Sequence, residues 1–400
     1  MKSYIVTGLD IGTHSIKMVV AQRKEGGDLE VLGMAEEVSA GVRKGAVVNF
    51  QEVARRIISL KSRVENASSQ KVRDVVANVG GSHIFVTSSH GIVAVSRADG
   101  SISKEDVDRV LQAAQAFSLP SNKEILEVFP QQFIVDGEGN IKEPAGMKGV
   151  RLEADVLAIC GFSPYIKSVS DAILAADLGI EDLVPSPLMA AQAVLTPQQK
   201  ELGVAVVDIG AGTTDLTVFE EGDLLYVTTF PVGSENITND IAIGLRTEPD
   251  IAEQIKIEFG QLGSKGRKMI KVEIPDAPPL TFSQKFLSHI IESRTREIFQ
   301  LIIKDLKKIS KQGMLPGGIV LVGGGAKLPK IVDFAKKELK LPVKIGIPKG
   351  VISLQSDTAF LGAIGLIGAG EGEFQGKGTK HEIPSQLLSK LKKIFKVFIP

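Results

Sequence analysis

Two short stretches carry residue types suited to holding phosphate: Asp10-Ile11-Gly12-Thr13-His14-Ser15 with Lys17, and Asp208-Ile209-Gly210-Ala211-Gly212-Thr213-Thr214 followed by Asp215. In each, an apolar run ends in an aspartate, and a glycine and small hydroxyl residues follow. Glycine permits positive φ and close backbone approach, the amides of the turn can point at phosphate oxygens, and the carboxylate can hold magnesium through water. One such turn reads more simply as a capped hairpin. Two copies roughly 200 residues apart favour a phosphate site, because the hairpin reading gives no reason for the aspartate to be repeated. A third stretch, Val320-Leu321-Val322 followed by Gly323-Gly324-Gly325, reads as a buried strand opening into a turn whose bare backbone can accept a flat ring near a helix N-terminus. Its plainer reading is a strand-to-helix loop. Neither Gly-x-Gly-x-x-Gly nor Gly-x-x-x-x-Gly-Lys-Ser/Thr occurs, which excludes the Rossmann and P-loop nucleotide sites.

The surrounding pattern supplies elements to position these turns. Tyr4 to Asp10, Ser15 to Gln22 and Leu29 to Glu37 read as a three-stranded antiparallel meander with turns at Gly12-Thr13 and Glu25-Gly26-Gly27. A helix is predicted over Phe50 to Val64 and a buried strand over Val72 to Val79. From His83 to about Ala158 the texture becomes that of a small mixed α/β insertion, with an alternating strand at Ile92 to Ser96 and a helix opened by Ser103-Lys104-Glu105-Asp106. A helix over Ser168 to Asp177 and strands at Gly203 to Asp208 and Leu216 to Phe219 follow. The expected fold is α/β: two duplicated halves, each a five-stranded mixed sheet with helices, around a cleft into which both aspartate turns face. The predicted segments are 1–82 and 161–202 for the first half, with 83–160 inserted. The second half takes 203–231 and 313–369, with 232–312 as its small subdomain. A linker at 370–385 and a terminal helix at 386–400 complete the chain.

Composition fits this reading. Apolar residues make up 43% and charged residues 24% of the 400, ordinary globular usage that excludes a disordered or fibrous chain. Forty-seven basic residues balance 47 acidic ones, so no global field attracts nucleic acid. Cys160 stands alone, which excludes an internal disulfide and a thiolate zinc cage and fits a reducing compartment. No secretory signal and no run of about 18 apolar residues occurs, so the default expectation is cytosolic, with a proviso from the last fifteen residues.

Together, the two Asp-x-Gly turns, the triple-glycine turn and the helix Ala252-Glu253-Gln254-Ile255-Lys256 resemble the actin-like ATPase superfamily. Within it, the inserted segment is similar to that of the FtsA family of bacterial division proteins, through Val128-Phe129-Pro130-Gln131-Gln132-Phe133, Asp136-Gly137 and the block Gly146 to Glu153. Further matches are Gly41 to Asn49, Glu201-Leu202-Gly203 and Asn236 to Ala242, and the resemblance spans residues 1 to about 370. It implies ATP and Mg as cofactors. Phosphates and metal would lie at Asp10, Gly12, Thr13, His14, Ser15 and Lys17, and at Asp208, Gly210, Ala211, Gly212, Thr213 and Thr214, with Asp10 and Asp208 holding Mg through water. Gly233 and Asn236 would join this site, Glu253 and Lys256 would meet ribose and adenine edges, and Gly323, Gly324 and Gly325 the adenine face. Other actin-like branches place a glutamate before a proline ahead of the second turn, where it helps position the attacking water. Here Ser186-Pro187 occupies that position, and serine cannot act as a carboxylate base, so at most slow hydrolysis is implied.

The tail carries its own signal. The stretch 370–385 is rich in glycine and polar residues and reads as a flexible linker with an r.m.s. reach of roughly 20–24 Å. Beyond it, Leu387, Leu388, Leu391, Ile394, Phe395 and Phe398 fall on one helical stripe, with Lys390, Lys392, Lys393 and Lys396 off it and no acidic residue. Such a helix would be about 22 Å long at 1.5 Å per residue, too short and too charged to span a bilayer but suited to its interface. The alternative is a helix docked on the protein itself.

The leading expectation is an ATP-binding actin-like filament subunit that tethers FtsZ to the cytoplasmic membrane at the division site. Its expected partners are the FtsZ C-terminal tail, copies of itself, an anionic membrane and other division proteins. Arg294 and Arg296, on a basic helix predicted over His289 to Ser310, are candidates to receive an acidic peptide. Alternatives are a PilM-like pilus scaffold and a small-molecule kinase of the same fold; no acceptor-site carboxylate motif supports the kinase.

Overall fold

The computed structural model describes residues 4–24, 28–264, 266, 268–274, 277–352 and 360–369. The turn predicted at Glu25-Gly26-Gly27, the linker and the terminal amphipathic stretch lie outside them. The chain opens with β1 (Tyr4–Ile11), β2 (Ser15–Arg23) and β3 (Leu29–Val38), the expected antiparallel meander. A two-stranded hairpin of β4 (Val42–Arg43) and β5 (Ala46–Val47), helix α1 (Phe50–Ser68) and β6 (Asp74–Val79) follow. Asn49 caps α1 by accepting the N–H groups of Gln51 and Glu52, and Val53, Ile57, Leu60 and Val64 bury its apolar face on the sheet.

The chain then runs through β7 (Phe85–Ala94), α2 (Lys104–Gln115), β8 (Lys123–Val135), β9 (Glu138–Ile141) and β10 (Arg151–Phe162). Within this stretch 88–117 and 128–156 form a compact unit of their own, whose core is Ile102, Val110, Leu111, Phe133, Leu152 and Val156. The predicted capping sequence acts as one: Ser103 Oγ accepts the Asp106 N–H at 3.2 Å, and Asp106 Oδ2 accepts the Ser103 N–H at 2.9 Å.

In the larger unit, α3 (Ser163–Ala175), β11 (Gly179–Pro185), α4 (Ser186–Val194) and α5 (Pro197–Leu202) complete the first half. Helix α3 begins at Ser163, five residues before the predicted start, because Pro164 in its first turn presets helical φ. The second half comprises β12 (Val204–Ile209), β13 (Thr214–Glu220), β14 (Asp223–Phe230), α6 (Ser234–Leu245), α7 (Pro249–Phe259), β15 (Met269–Ile274), β16 (Ala277–Ser283) and α8 (Gln284–Lys308). After β17 (Ile319–Val322) come a 3-10 turn (Gly324–Lys327), α9 (Ile331–Leu339), β18 (Val343–Ile345), β19 (Val351–Ile352) and α10 (Leu361–Ala369).

The two large sheets are copies of one plan. The second has the order β14-β13-β12-β17-β18, and the first β11-β6-β1-β2-β3-β19. In both, a central strand lies antiparallel to the next strand in sequence and parallel to a later one, β6 beside β1 and β17 beside β12. The first sheet has six strands rather than the five expected, because the chain returns from the second half to lay Val351–Ile352 beside Leu29 and Glu30. Two helices tie the halves together. Helix α4 is buried along nearly its whole length, and the Thr217 hydroxyl on β13 donates to the Pro187 carbonyl at its start, 2.6 Å away. Helix α10 crosses α4 and β1 so closely that a Cβ on Gly365 would lie 1.8 Å from the Met189 carbonyl oxygen, and one on Gly8 2.4 Å from that of Ala363. Gly365→Ala is therefore expected to destabilise the larger unit by about 2–4 kcal/mol, read as a lowered denaturation midpoint, because backbone rather than a movable side chain occupies the space.

Candidate functional site

The duplicated turns are the ends of two equivalent hairpins. In the first, Ile11 pairs with Ile16, and the Gly12 N–H donates to the Ser15 carbonyl at 3.1 Å. In the second, Ile209 pairs with Thr214, and the Gly210 N–H donates to the Thr213 carbonyl at 2.9 Å. Asp10 and Asp208 thus sit at matching places near the ends of matching central strands. Their cross-strand partners differ: Asp10 faces Lys17, whereas Asp208 faces Asp215. The tips meet, since a Cβ on Gly212 would lie 2.6 Å from Thr13 Oγ1. The two predicted phosphate turns therefore meet at their tips, as chain folding rather than spacing dictates.

This convergence concentrates negative charge. Burial pushes the Asp208 carboxyl up to about 6, helped by Asp10 and opposed by Lys17. Burial likewise raises Asp215 to about 7, with Asp208 adding to the effect and the Thr229 hydroxyl, 2.6 Å from Asp215 Oδ1, opposing it. Asp10 is raised by burial too, against the pull of Lys17. Buried carboxylates that resist ionisation are suited to a compensating cation. Among the described residues no three His, Cys, Asp or Glu side chains converge to hold a metal directly. The carboxylates of Asp10 and Asp208 beside the glycine turns are hard oxygen donors of the kind magnesium takes.

Other predicted residues surround the two tips. Gly323 follows β17 with φ of +83°, and a Cβ there would lie 2.2 Å from Asp208 Oδ1. A Cβ on Gly325 would strike Ile209, whereas Gly324 borders open space. Gly233 is required for a different reason: a Cβ would fall 2.4 Å from the Ala211 carbonyl oxygen, which lets the Ser234 and Glu235 N–H groups reach the carbonyls of Gly210 and Ala211. Asn236 accepts the Gly233 N–H at 3.0 Å, so its observed work is to fix the start of α6. Lys256 is buried, with Nζ 2.6 Å from Glu253 Oε2 and donating to Thr238 Oγ1 at 2.9 Å. Thr214 is fully buried and donates to the Val232 carbonyl at 2.8 Å. His14 is exposed.

Two participants, Asn78 and Gly362, escape sequence reasoning, and Ser186 takes a part beyond the one read from its position. Asn78, at the end of β6, accepts the Ile11 N–H at 2.7 Å and donates to Ser186 Oγ at 2.9 Å, pinning the first turn to the start of α4. Ser186, where a glutamate was noted as missing, is thus a buried hydrogen-bonding partner. Gly362 lets α10 approach Asp10, since a Cβ would lie 2.7 Å from its Oδ2. The small-residue run Gly362-Ala363-Ile364-Gly365 was the available signal for that approach; nothing local marks Asn78.

With this geometry in place, the family comparisons are decisive. Residues 205–365 match the model of "Cell division protein FtsA", and residues 81–160 match "SHS2 domain inserted in FTSA". The cell division protein FtsA of Borreliella burgdorferi is 35% identical over 402 residues, covering 98% of this chain and 94% of the relative. The chain belongs to the FtsA family.

Membership places it among actin-like cell division proteins, and solved structures agree at the level of fold. The PilM-PilN type IV pilus biogenesis complex matches with a TM-score of 0.66 at 18% identity, covering 91% of this chain and 98% of that one. MreB 5 of Spiroplasma citri bound to AMPPNP matches at 0.55 and 14%, covering 94% and 98%. At such identities the likeness shows the fold alone, and the pilus-scaffold and kinase alternatives give way to the FtsA assignment.

The two arginines singled out for a partner are already engaged. Arg294 grips Asp240 with both Nε at 2.7 Å and Nη2 at 2.9 Å, and Glu297 lies 2.5 Å from its Nη1. Arg296 pairs with Glu338 at 3.3 Å and lies 5.4 Å over the Phe334 ring. They sit on α8, which begins at Gln284 under a Ser283 cap, earlier than the His289 start expected. No helix among the described residues is long and apolar enough to cross a membrane. The predicted membrane-binding residues, Leu387 to Phe398, lie outside them.

Proposed function

We propose that this chain binds ATP with magnesium between its two hairpin turns, assembles into actin-like filaments, and links FtsZ to the cytoplasmic face of the cell membrane during division. One observation carries the nucleotide reading: Thr13 and Gly212 bring two glycine turns together beside three hard-to-ionise carboxylates, Asp215 buried and Asp10 and Asp208 half-buried. The AMPPNP held by the related MreB fold supports it. In this reading magnesium would neutralise the triphosphate and the carboxylates together, while Asp10 and Asp208 orient its waters and the turn amides receive phosphate oxygens. Gly324 would leave backbone free for the base. Glu253 and Lys256 would shape the far wall through their hold on Thr238. The FtsZ tail, copies of the chain and other division proteins are the proposed partners, and the residues 386–400 the proposed membrane anchor.

Calorimetric titration with Mg-ATP tests the site: saturable binding is expected, and its absence in folded protein would remove this reading. Turnover is expected to be slow, since Ser186 is held by Asn78 and offers no carboxylate to an attacking water. Ser186→Ala is expected to keep ATP affinity within about twofold and to cost about 1–2 kcal/mol of stability by removing the shorter of the two acceptors of the Asn78 amide. A large loss of nucleotide binding in that variant would instead place Ser186 among the ligand contacts.

A further inference from the structure

The β4–β5 hairpin takes no part in the site as described, yet its tip lies on both phosphate turns. The Gly45 N–H donates to Thr13 Oγ1 at 2.9 Å, tying the tip to the first turn. A Cβ on Gly212 would lie 3.1 Å from the Lys44 Cα, and one on Gly45 3.3 Å from Thr213 Cγ2, so the same tip touches the second turn. Its backbone is bent to reach there: Lys44 has φ of +48° and Gly45 of +76°. A lysine in the left-handed region is sterically disfavoured, and such strain persists only where surrounding contacts impose it.

This strained tip carries two adjacent cations, Arg43 and Lys44. Both are exposed, and among the described residues neither side chain forms an ion pair or hydrogen bond. Several other cations of this chain are paired, as Arg294 is with Asp240 and Arg63 with Glu37. The cleft beneath is the reverse case. Lys17 is the cation that opposes the raised carboxyls of Asp10 and Asp208, and it is shared with Glu36, 3.6 Å away. A nucleotide entering this cleft adds charge of the sign already in excess, and each further phosphate raises the demand for cations.

We propose that Arg43 and Lys44 form a cationic cap on the phosphate site, positioned where the turns of the two halves meet, and that they give the protein its preference for a nucleoside triphosphate over a diphosphate. The proposal rests on the nucleotide reading above. The physical logic is that a charge-assisted contact to the last phosphate exists only with the triphosphate, while contacts to the inner phosphates are shared by both ligands. Because the tip already touches both turns through Thr13, Gly212 and Thr213, the last phosphate would also fasten the two halves across the cleft.

The test is calorimetry of the full chain with Mg-ATP and with Mg-ADP, for the unaltered protein, Arg43→Gln/Lys44→Gln, and Arg43→Lys/Lys44→Arg. Glutamine keeps length and polarity at exposed positions, and thermal denaturation of each variant checks that it folds. The glutamine pair is expected to lose about tenfold or more in ATP affinity but less than about threefold for ADP, and the charge-keeping pair to retain most of the preference. Raising salt from low to moderate strength is expected to weaken ATP binding more steeply in the unaltered protein than in the glutamine pair. If unaltered protein binds both nucleotides and the glutamine pair keeps the same ATP-to-ADP ratio and salt slope, the cap is overturned and the nucleotide site stands. If unaltered protein binds neither nucleotide, both fall together.

Discussion

Asp208→Asn is expected to strengthen the nucleotide-free protein and weaken its hold on Mg-ATP. Asp208 and Asp215 lie near each other and near Asp10, and their carboxyls are raised to about 6 and about 7. In the unfolded chain each titrates near 3.9. The native state therefore holds its protons to higher pH than the unfolded state does. Its advantage is complete below about pH 4 and is lost as pH rises through the native values. Without magnesium, unfolding free energy should fall between about pH 4 and 7, by an amount on the order of 2–3 kcal/mol for Asp208 alone. Asparagine at this position removes that slope and raises stability at pH 8. The same change deletes a negative charge that a magnesium-bound triphosphate needs, so affinity for Mg-ATP should drop by about tenfold or more. Denaturant titrations at pH 5 and pH 8 without nucleotide, paired with calorimetry, check both halves. A variant that is less stable at pH 8 and binds Mg-ATP normally would mean that Asp208 serves packing instead.

Removal of residues 386–400 is expected to abolish binding to vesicles of anionic lipid and leave Mg-ATP affinity unchanged within about twofold. The stretch pairs an apolar stripe, Leu387, Leu388, Leu391, Ile394, Phe395 and Phe398, with Lys390, Lys392, Lys393 and Lys396. Each lysine contributes about 1 kcal/mol at an anionic surface, and burial of the stripe adds several kcal/mol. One helix of this kind is a modest anchor, so assembly of several subunits would raise its effective strength. Co-sedimentation with vesicles, with and without ATP and an FtsZ C-terminal peptide, is the measurement. Full lipid binding by the truncated chain would move the membrane contact onto the folded body. Peptide carried down by the full chain alone would join the two proposed attachments in one molecule.

The sequence by itself determined the architecture and the identity of the turns. Alternation of apolar residues, the repeated Asp-x-Gly and the Ser103 capping box act over a few residues, so their consequences, meander, hairpin and helix start, can be read without knowing what lies across the fold. The repetition of Asp10 in Asp208 then implied two matching halves, and β1 and β12 are indeed the matching central strands. Tertiary structure alone decided what each neighbouring side chain does. Asn78 meets Ile11 across 67 residues and Ser186 across 108, and no local pattern encodes either contact. What holds Lys256 is decided only when α6 places Thr238 against it. Arg294 reads as a free cation until Asp240, 54 residues earlier in the chain, closes on it. The β4–β5 tip likewise gains its meaning only when packing sets it beside Thr13 and Gly212. Short-range order follows from backbone and side-chain preferences within one turn or strand, whereas charge partners and close approaches follow from which distant surfaces pack together.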